Sequence, residues 1–295
     1  MNLSTLQPTS IFATSSACRP RGIIELGTQS LKVHELYGGN LRTRKHAYTL
    51  GHEVYSSGVI SESTLDQVID IARSECIHAN LAICTGAARD AGNRAELLEA
   101  LSDPLDLGAF VLSPHEEALL LALGYLGSAG RAPALLADIG GGTVEVVYLG
   151  EDQAMLWDCL PLGAVRLHDS SGGIVKEHIA QTERELRKLS LDSAEDLHVS
   201  GGTVRTIIKV LQCVAPTRQK IAALERKVRM HGPPDGLKPD RAVVFHSGLL
   251  LTLKLLEKVG AKRVHWLPIC PGRTLLAWAL RYVDACWLDP AIRSL

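Results

Sequence analysis

The feature that most constrains this chain is a unit that occurs twice: an apolar strand, a Gly-bearing turn and a second strand. The first copy runs through Ile23, Ile24 and Leu26, then Gly27-Thr28-Gln29-Ser30, then residues 31–37. The second runs through residues 134–139, then Gly140-Gly141-Gly142, then residues 144–149. Short apolar runs broken by glycine read as hairpins, and one hairpin in each half implies two domains of related build, with a boundary in residues 127–133. The expected division is a flexible N-terminal extension over 1–20, a first domain over 21–130 and a second over 131–295. The last helix of the second has the option of packing back on the first.

Helical spacing marks what lies between the hairpins. From Ser61 onward, Leu65, Val68, Ile69, Ala72 and Cys76 recur on one face of an expected amphipathic helix. Residues 81–84 form a short buried strand that runs into Thr85-Gly86-Ala87-Ala88-Arg89-Asp90, and a helix follows over about 94–101. Ser113, Pro114 and Glu116 fit the N-cap, first-turn and N3 positions of a capping box. That occupies Glu116. Glu117 points roughly 100° further around the helix and is left for other chemistry. Val199 leads into Ser200-Gly201-Gly202-Thr203 and a helix ending before Pro216, and further helical runs cover about 242–259 and 274–287.

With 46% hydrophobic and 21% charged residues, 295 residues can bury two cores. The net charge of -1, from 31 basic and 32 acidic residues, supplies no general field for DNA, RNA or an anionic membrane. Seven scattered cysteines without a C-x-x-C pair favour reduced thiols and a cytoplasmic setting. Eleven histidines offer no H-E-x-x-H and no metal-like spacing with cysteine, so the spacing argues against a zinc site. No apolar stretch reaches the ~18 residues of a spanning helix. Residues 1–20 have neither a basic start nor a continuous apolar centre and read poorly as a signal peptide.

Three Gly-bearing turns, at Gly27, at Gly140 to Gly142 and at Gly201-Gly202, each follow an apolar strand, and their unhindered N–H groups suit a phosphate. Glu25 stands before the first, and Asp138 and Glu145 flank the second. Such carboxylates beside phosphate-binding backbone are what Mg2+ takes, because it combines one or two acids with phosphate oxygens. An Asp at a strand end can also simply fix the turn, and for Asp138 the metal or water role is the favoured one.

These residues resemble the signatures of the exopolyphosphatase and guanosine pentaphosphate phosphohydrolase family, of the actin-like ATPase superfamily. Residues 24–30 (IELGTQS) are similar to its first phosphate loop and 138–145 (DIGGGTVE) to its second. Residues 85–93 (TGAARDAGN), 113–118 (SPHEEA), 160–167 (LPLGAVRL) and 201–206 (GGTVRT) match its other motifs in order. The resemblance implies an α/β chain of two ribonuclease-H-like domains with an interdomain cleft, in the short form that ends after them. It implies an exopolyphosphatase-like hydrolase that removes the terminal phosphate of polyphosphate or a phosphorylated nucleotide with Mg2+. By position, Glu117 corresponds to the family's catalytic base and Arg89 to its phosphate-contacting arginine. Gly27, Thr28, Gln29, Ser30, Gly140, Gly141, Gly142, Thr143, Gly202 and Thr203 would bind phosphate, and Asp138, Glu145 and Glu25 the metal. A homodimer is also implied.

The chain departs from the family pattern at Glu25 and Gln29, which stand for Asp and Asn, and at Thr143 and Val144, which stand for Ser and Thr. Val243 replaces a usual Asp, and Pro271-Gly272-Arg273-Thr274 is a degraded closing motif. Two basic clusters, Arg42, Arg44, Lys45 and His46, and Arg218, Lys220, Arg226, Lys227 and Arg229, read more as solvated faces than as polymer tracks. A diverged phosphate-binding regulator and a phosphotransferase on the same scaffold stay open as alternatives.

Overall fold

In the computed structural model, which describes residues 21–283 apart from 76–77, 103–104, 153, 171–174 and 190–193, the turns at Gly27 and at Gly140 to Gly142 close hairpins. Gly22–Leu26 (β1) pairs antiparallel with Ser30–Tyr37 (β2), which continues into Asn40–Ala47 (β3). On its other edge β1 pairs parallel with Leu81–Cys84 (β4), and β4 with Gly108–Val111 (β5). In the second half Ala134–Ile139 (β6) pairs antiparallel with Val144–Leu149 (β7), and β7 with Met155–Leu160 (β8). Asp196–Ser200 (β9) and Arg263–Trp266 (β10) add the parallel strands.

The sheet orders are β3-β2-β1-β4-β5 and β10-β9-β6-β7-β8. Each therefore has an antiparallel three-strand meander whose first strand is extended by two parallel strands. The repeat seen in two hairpins extends to two whole sheets. It reaches the closing bond of each turn: the Gly27 N–H donates to the Ser30 carbonyl, and the Gly140 N–H to the Thr143 carbonyl, each at 3.1 Å.

The helices are Leu50–Ser57 (α1), Glu62–Glu75 (α2), Gly86–Asp90 (α3), Arg94–Ser102 (α4), Pro114–Gly127 (α5) and Ala164–Ser170 (α6). Then come Val175–Leu186 (α7), Gly202–Leu211 (α8), Arg218–His231 (α9), Pro239–Lys258 (α10) and Pro271–Val283 (α11). Among the described residues, 21–131 with 269–283 make one compact unit and 132–268 the other. Helix α11, at the end of the stretch expected to form the second domain, belongs to the first unit and packs on α5 and β1.

In the first unit the period-2 alternation of β1 divides its apolar residues between two layers. Ile24 and Leu26 join Val33, Val68 and Leu97 on one face, while Ile23 joins Ile83, Leu120 and Leu276 on the other. A strand covered on both faces needs no polar side, which is why every residue of β1 is buried. The second unit packs Leu135, Ala137 and Val199 with Leu249 and Leu256 of α10.

Helix α5 starts as the sequence predicts. The Ser113 hydroxyl accepts from the Glu116 N–H at 3.2 Å, and the Glu116 carboxylate accepts from the Ser113 N–H at 2.7 Å. Ser113→Ala is expected to lower stability by about 1 kcal/mol, read as a lower urea midpoint with an unchanged slope.

Candidate active site

In the first unit the Gly27 turn is pinned from behind. The Tyr48 hydroxyl donates to the Gly27 carbonyl, and the Gly51 N–H donates to the Thr28 carbonyl at 2.9 Å. Helix α3 meets the same turn: Thr85 donates its N–H to the Leu26 carbonyl at 2.9 Å, and Gly86 follows with φ +42°. A Cβ on Gly86 would lie 2.7 Å from the Thr28 hydroxyl, so only glycine permits this approach. The last turn of α3 carries Arg89. Its Nη1 donates to the Leu112 carbonyl at 2.8 Å and also forms an ion pair with Glu117.

Glu117 is buried at 8% exposure, on the first turn of α5 beside the capping Glu116. The structure thus joins Arg89 to Glu117 and sets α3 against Thr28, while Glu116 serves the cap. Burial of a carboxylate against a guanidinium is a pairing the sequence did not disclose, since residues 89 and 117 lie on separate helices.

In the second unit α6 takes up the carbonyls of the Gly140 turn. The N–H groups of Ala164 and Val165 donate to Gly140 and Gly141 at 3.1 and 2.9 Å, and Arg166 Nε donates to Gly142 at 2.7 Å. In a trans peptide the next N–H points opposite to the carbonyl. The amides of Gly141, Gly142 and Thr143 therefore face away from α6, in the manner of an anion-binding nest.

Beside this nest a polar row crosses the sheet. Ser200 of β9, Asp138 of β6, Glu145 of β7 and Cys159 of β8 are paired in register. Glu145 is buried and accepts from the Cys159 thiol at 3.3 Å, while the fully buried Ser200 hydroxyl has no hydrogen-bond partner among the described residues. Asp138 and Ser200 lie at the carboxyl ends of the parallel strands β6 and β9 and Glu145 at the start of the antiparallel β7, and such hydroxyl and carboxylate oxygens suit a hard cation such as Mg2+.

Gly201 has φ +107°, and a Cβ there would come within 2.3 Å of the Ile139 carbonyl oxygen, so the turn into α8 requires glycine. Arg241, which the sequence reading missed, lies against the start of α8: a Cβ on Gly202 would be 2.8 Å from its Nη1. Burial above all, with Asp240 opposing and Arg205 reinforcing, pulls the Arg241 guanidinium below its ordinary value. An anion at this helix N-terminus would relieve that tension. The available signal was a basic residue in the first turn after Pro239, following the Asp240 that a helix start favours.

Glu25 has neighbours different from those expected of a magnesium ligand. The residue across from it on β2 is Lys32, whereas the residue across from Asp138 is Glu145. Lys32 forms an ion pair with Glu25 Oε1, while Oε2 lies 3.2 Å from His34 Nε2 and accepts from the Gly272 N–H at 2.8 Å. Burial would raise the Glu25 pKa, but the Lys32 charge and the His34 contact outweigh it and hold the carboxyl well below its usual range. Burial would lower the His34 pKa, but Cys270 and Glu25 outweigh it and hold the imidazole at about 9. The expectation that no histidine clusters with cysteine is corrected here, because Cys270 Sγ stands 3.8 Å from His34 Nε2. Linear spacing hid the group, which spans residues 25 to 270.

The basic clusters are partly consumed by the fold. Arg44 pairs with Glu35 and Glu75, His46 with Glu75, and Arg229 with Glu225. Among the described residues no helix is long and apolar enough to cross a membrane.

The profile of the Ppx/GppA phosphatase family matches residues 41–268, more than half of the chain. Exopolyphosphatase 1 of Mycobacterium tuberculosis is 31% identical over 88% of this chain and 85% of its own length. Exopolyphosphatase 2 of the same organism is 27% identical over 60% of this chain and 66% of its own. In fold, the chain is similar to the Aquifex aeolicus Ppx/GppA protein, with a TM-score of 0.70, 21% identity and coverage of 89% and 98%. It is also similar to an exopolyphosphatase from Cytophaga hutchinsonii, with a TM-score of 0.72, 18% identity and coverage of 91% and 99%.

Proposed function

Because the chain belongs to the Ppx/GppA phosphatase family, we propose that it removes the terminal phosphate from a phosphoanhydride chain, with inorganic polyphosphate or guanosine pentaphosphate as substrate. The observation that carries this reading is the pair of buried Glu117 with part-buried Arg89 on two helices, one of which abuts the Gly27 turn. Arg89 exchanges Glu117 for oxygens of the terminal phosphate, which a planar guanidinium matches. Glu117, released, accepts the proton of the attacking water, and the charge on the phosphoryl oxygens is held by backbone donors. The nest at Gly141 to Thr143 and the α8 start at Gly202-Thr203, with Arg241 beside it, supply anion binding in the second unit.

Asp138, Glu145 and Ser200 are the residues that would hold Mg2+, and the chemistry it supplies when bound is neutralisation of phosphate charge. Glu25, beside an ammonium, an imidazole and a sulfur, is not part of that oxygen set. Asp138→Asn keeps size and removes the charge. It is expected to raise the magnesium concentration for half-maximal phosphate release by at least about tenfold, and an unchanged magnesium curve would remove Asp138 from the site.

The reading is tested by phosphate release with magnesium on polyphosphate, guanosine pentaphosphate and nucleoside triphosphates. Release from one of the first two supports it, and inertness of the whole panel overturns it.

A further inference from the structure

The Glu25, His34 and Cys270 side chains are the one group among the described residues whose His, Cys and carboxylate ligand atoms all lie within 4.8 Å of one another. Three different elements bring them together: Glu25 from β1, His34 from the neighbouring β2, and Cys270 from the residue before α11. We propose that these three side chains form a binding site for a zinc-class divalent ion, separate from the magnesium site.

Two of the three ligand separations fit the ion closely, and the third is within 4.8 Å. Tetrahedral zinc with bonds of about 2.0–2.3 Å to N, O and S separates its ligand atoms by roughly 3.3–3.7 Å. Here His34 Nε2 lies 3.2 Å from Glu25 Oε2 and 3.8 Å from Cys270 Sγ. The other imidazole nitrogen, Nδ1, is 3.0 Å from the Thr43 hydroxyl. Nδ1 is held by Thr43, which leaves Nε2 as the nitrogen turned toward the carboxylate and the sulfur, and a polar partner on the second nitrogen is the outer-shell arrangement that orients metal-bound histidines. Glu25 is fixed as well, with Oε1 on Lys32 and the Gly272 N–H on Oε2.

Ligand softness decides which ion. Imidazole and thiolate favour zinc or cobalt and disfavour magnesium, whose ligands are oxygens. His34 is fully buried and Glu25 nearly so, whereas Cys270 is partly exposed and gives the ion a way in. Three protein ligands leave a fourth position for water or an anion. The inference does not depend on the hydrolytic reading, because its test reads metal binding alone.

The test uses the reduced, chelator-treated full chain in excess magnesium, titrated with Co2+ and then Zn2+. One equivalent of Co2+ is expected to give a sulfur-to-cobalt charge-transfer band that zinc abolishes stoichiometrically. Cys270→Ser and His34→Gln are each expected to remove the band and weaken zinc binding by about 100-fold or more, while Cys213→Ser leaves both unchanged. Independently of any variant, zinc is expected to slow alkylation of Cys270 in the wild-type chain, followed by peptide mapping. Absence of the band, its persistence in folded Cys270→Ser, or alkylation of Cys270 indifferent to zinc overturns the site.

Discussion

Glu117→Gln is expected to lower the rate of phosphate release by about 10²–10⁴-fold, the contribution of a positioned general base, with little change in KM. The amide still accepts a hydrogen bond from Arg89, so the packing around it is preserved and the lost property is proton acceptance. The neighbouring residue supplies the control. Glu116→Gln keeps a side-chain oxygen for the Ser113 N–H, and Gln is the other residue that completes a capping box. Glu116→Gln is therefore expected to retain turnover within a few-fold. If the two variants lose activity equally, or if Glu117→Gln retains it, Glu117 is not the base.

That contrast was legible in the sequence because a capping box assigns one glutamate by rule and leaves the next over. The hairpins were legible for a similar reason: an apolar run ended by glycine admits few other folds, and β1, β2, β6 and β7 appear where the runs predicted. Strands β3, β5, β8 and β10 were not read. The sequence of β3, NLRTRKHA, lies at a sheet edge with charged side chains exposed, so it lacks the apolar signal of a central strand. Strands β5 and β10 are four residues each, too short for alternation to register.

The polar row Ser200, Asp138 and Glu145 was half legible. Asp138 and Glu145 flank one turn, but Ser200 joins them only through the parallel pairing of β9 with β6, which local sequence does not encode. The repeat also concealed a difference. Equivalent hairpins put Lys32 opposite Glu25 but Glu145 opposite Asp138, so the first carboxylate has a cation across from it and the second has an acid. The Glu25, His34 and Cys270 group was wholly hidden, because the last helix returns to a strand from the start of the chain.

Arg89→Met is expected to destabilise the protein by up to roughly 3–5 kcal/mol, because removing one partner of a largely buried ion pair leaves the other charge poorly compensated. The burial justifies that range: the Arg89 and Glu117 side chains are 14% and 9% exposed, and an exposed pair would be worth under about 1 kcal/mol. The Leu112 carbonyl loses its Arg89 donor in the same change. Combining Arg89→Met with Glu117→Gln removes the stranded charge, so the double variant is expected to regain more than half of the lost stability in urea unfolding. A single-variant cost below about 1 kcal/mol would mean that the pair is effectively solvated. A double variant no more stable than Arg89→Met would place the cost in lost packing and in Leu112. Recovery of stability without recovery of turnover is the expected result for the double variant, since the neutral Met and Gln side chains repair the fold and leave no group to take the proton.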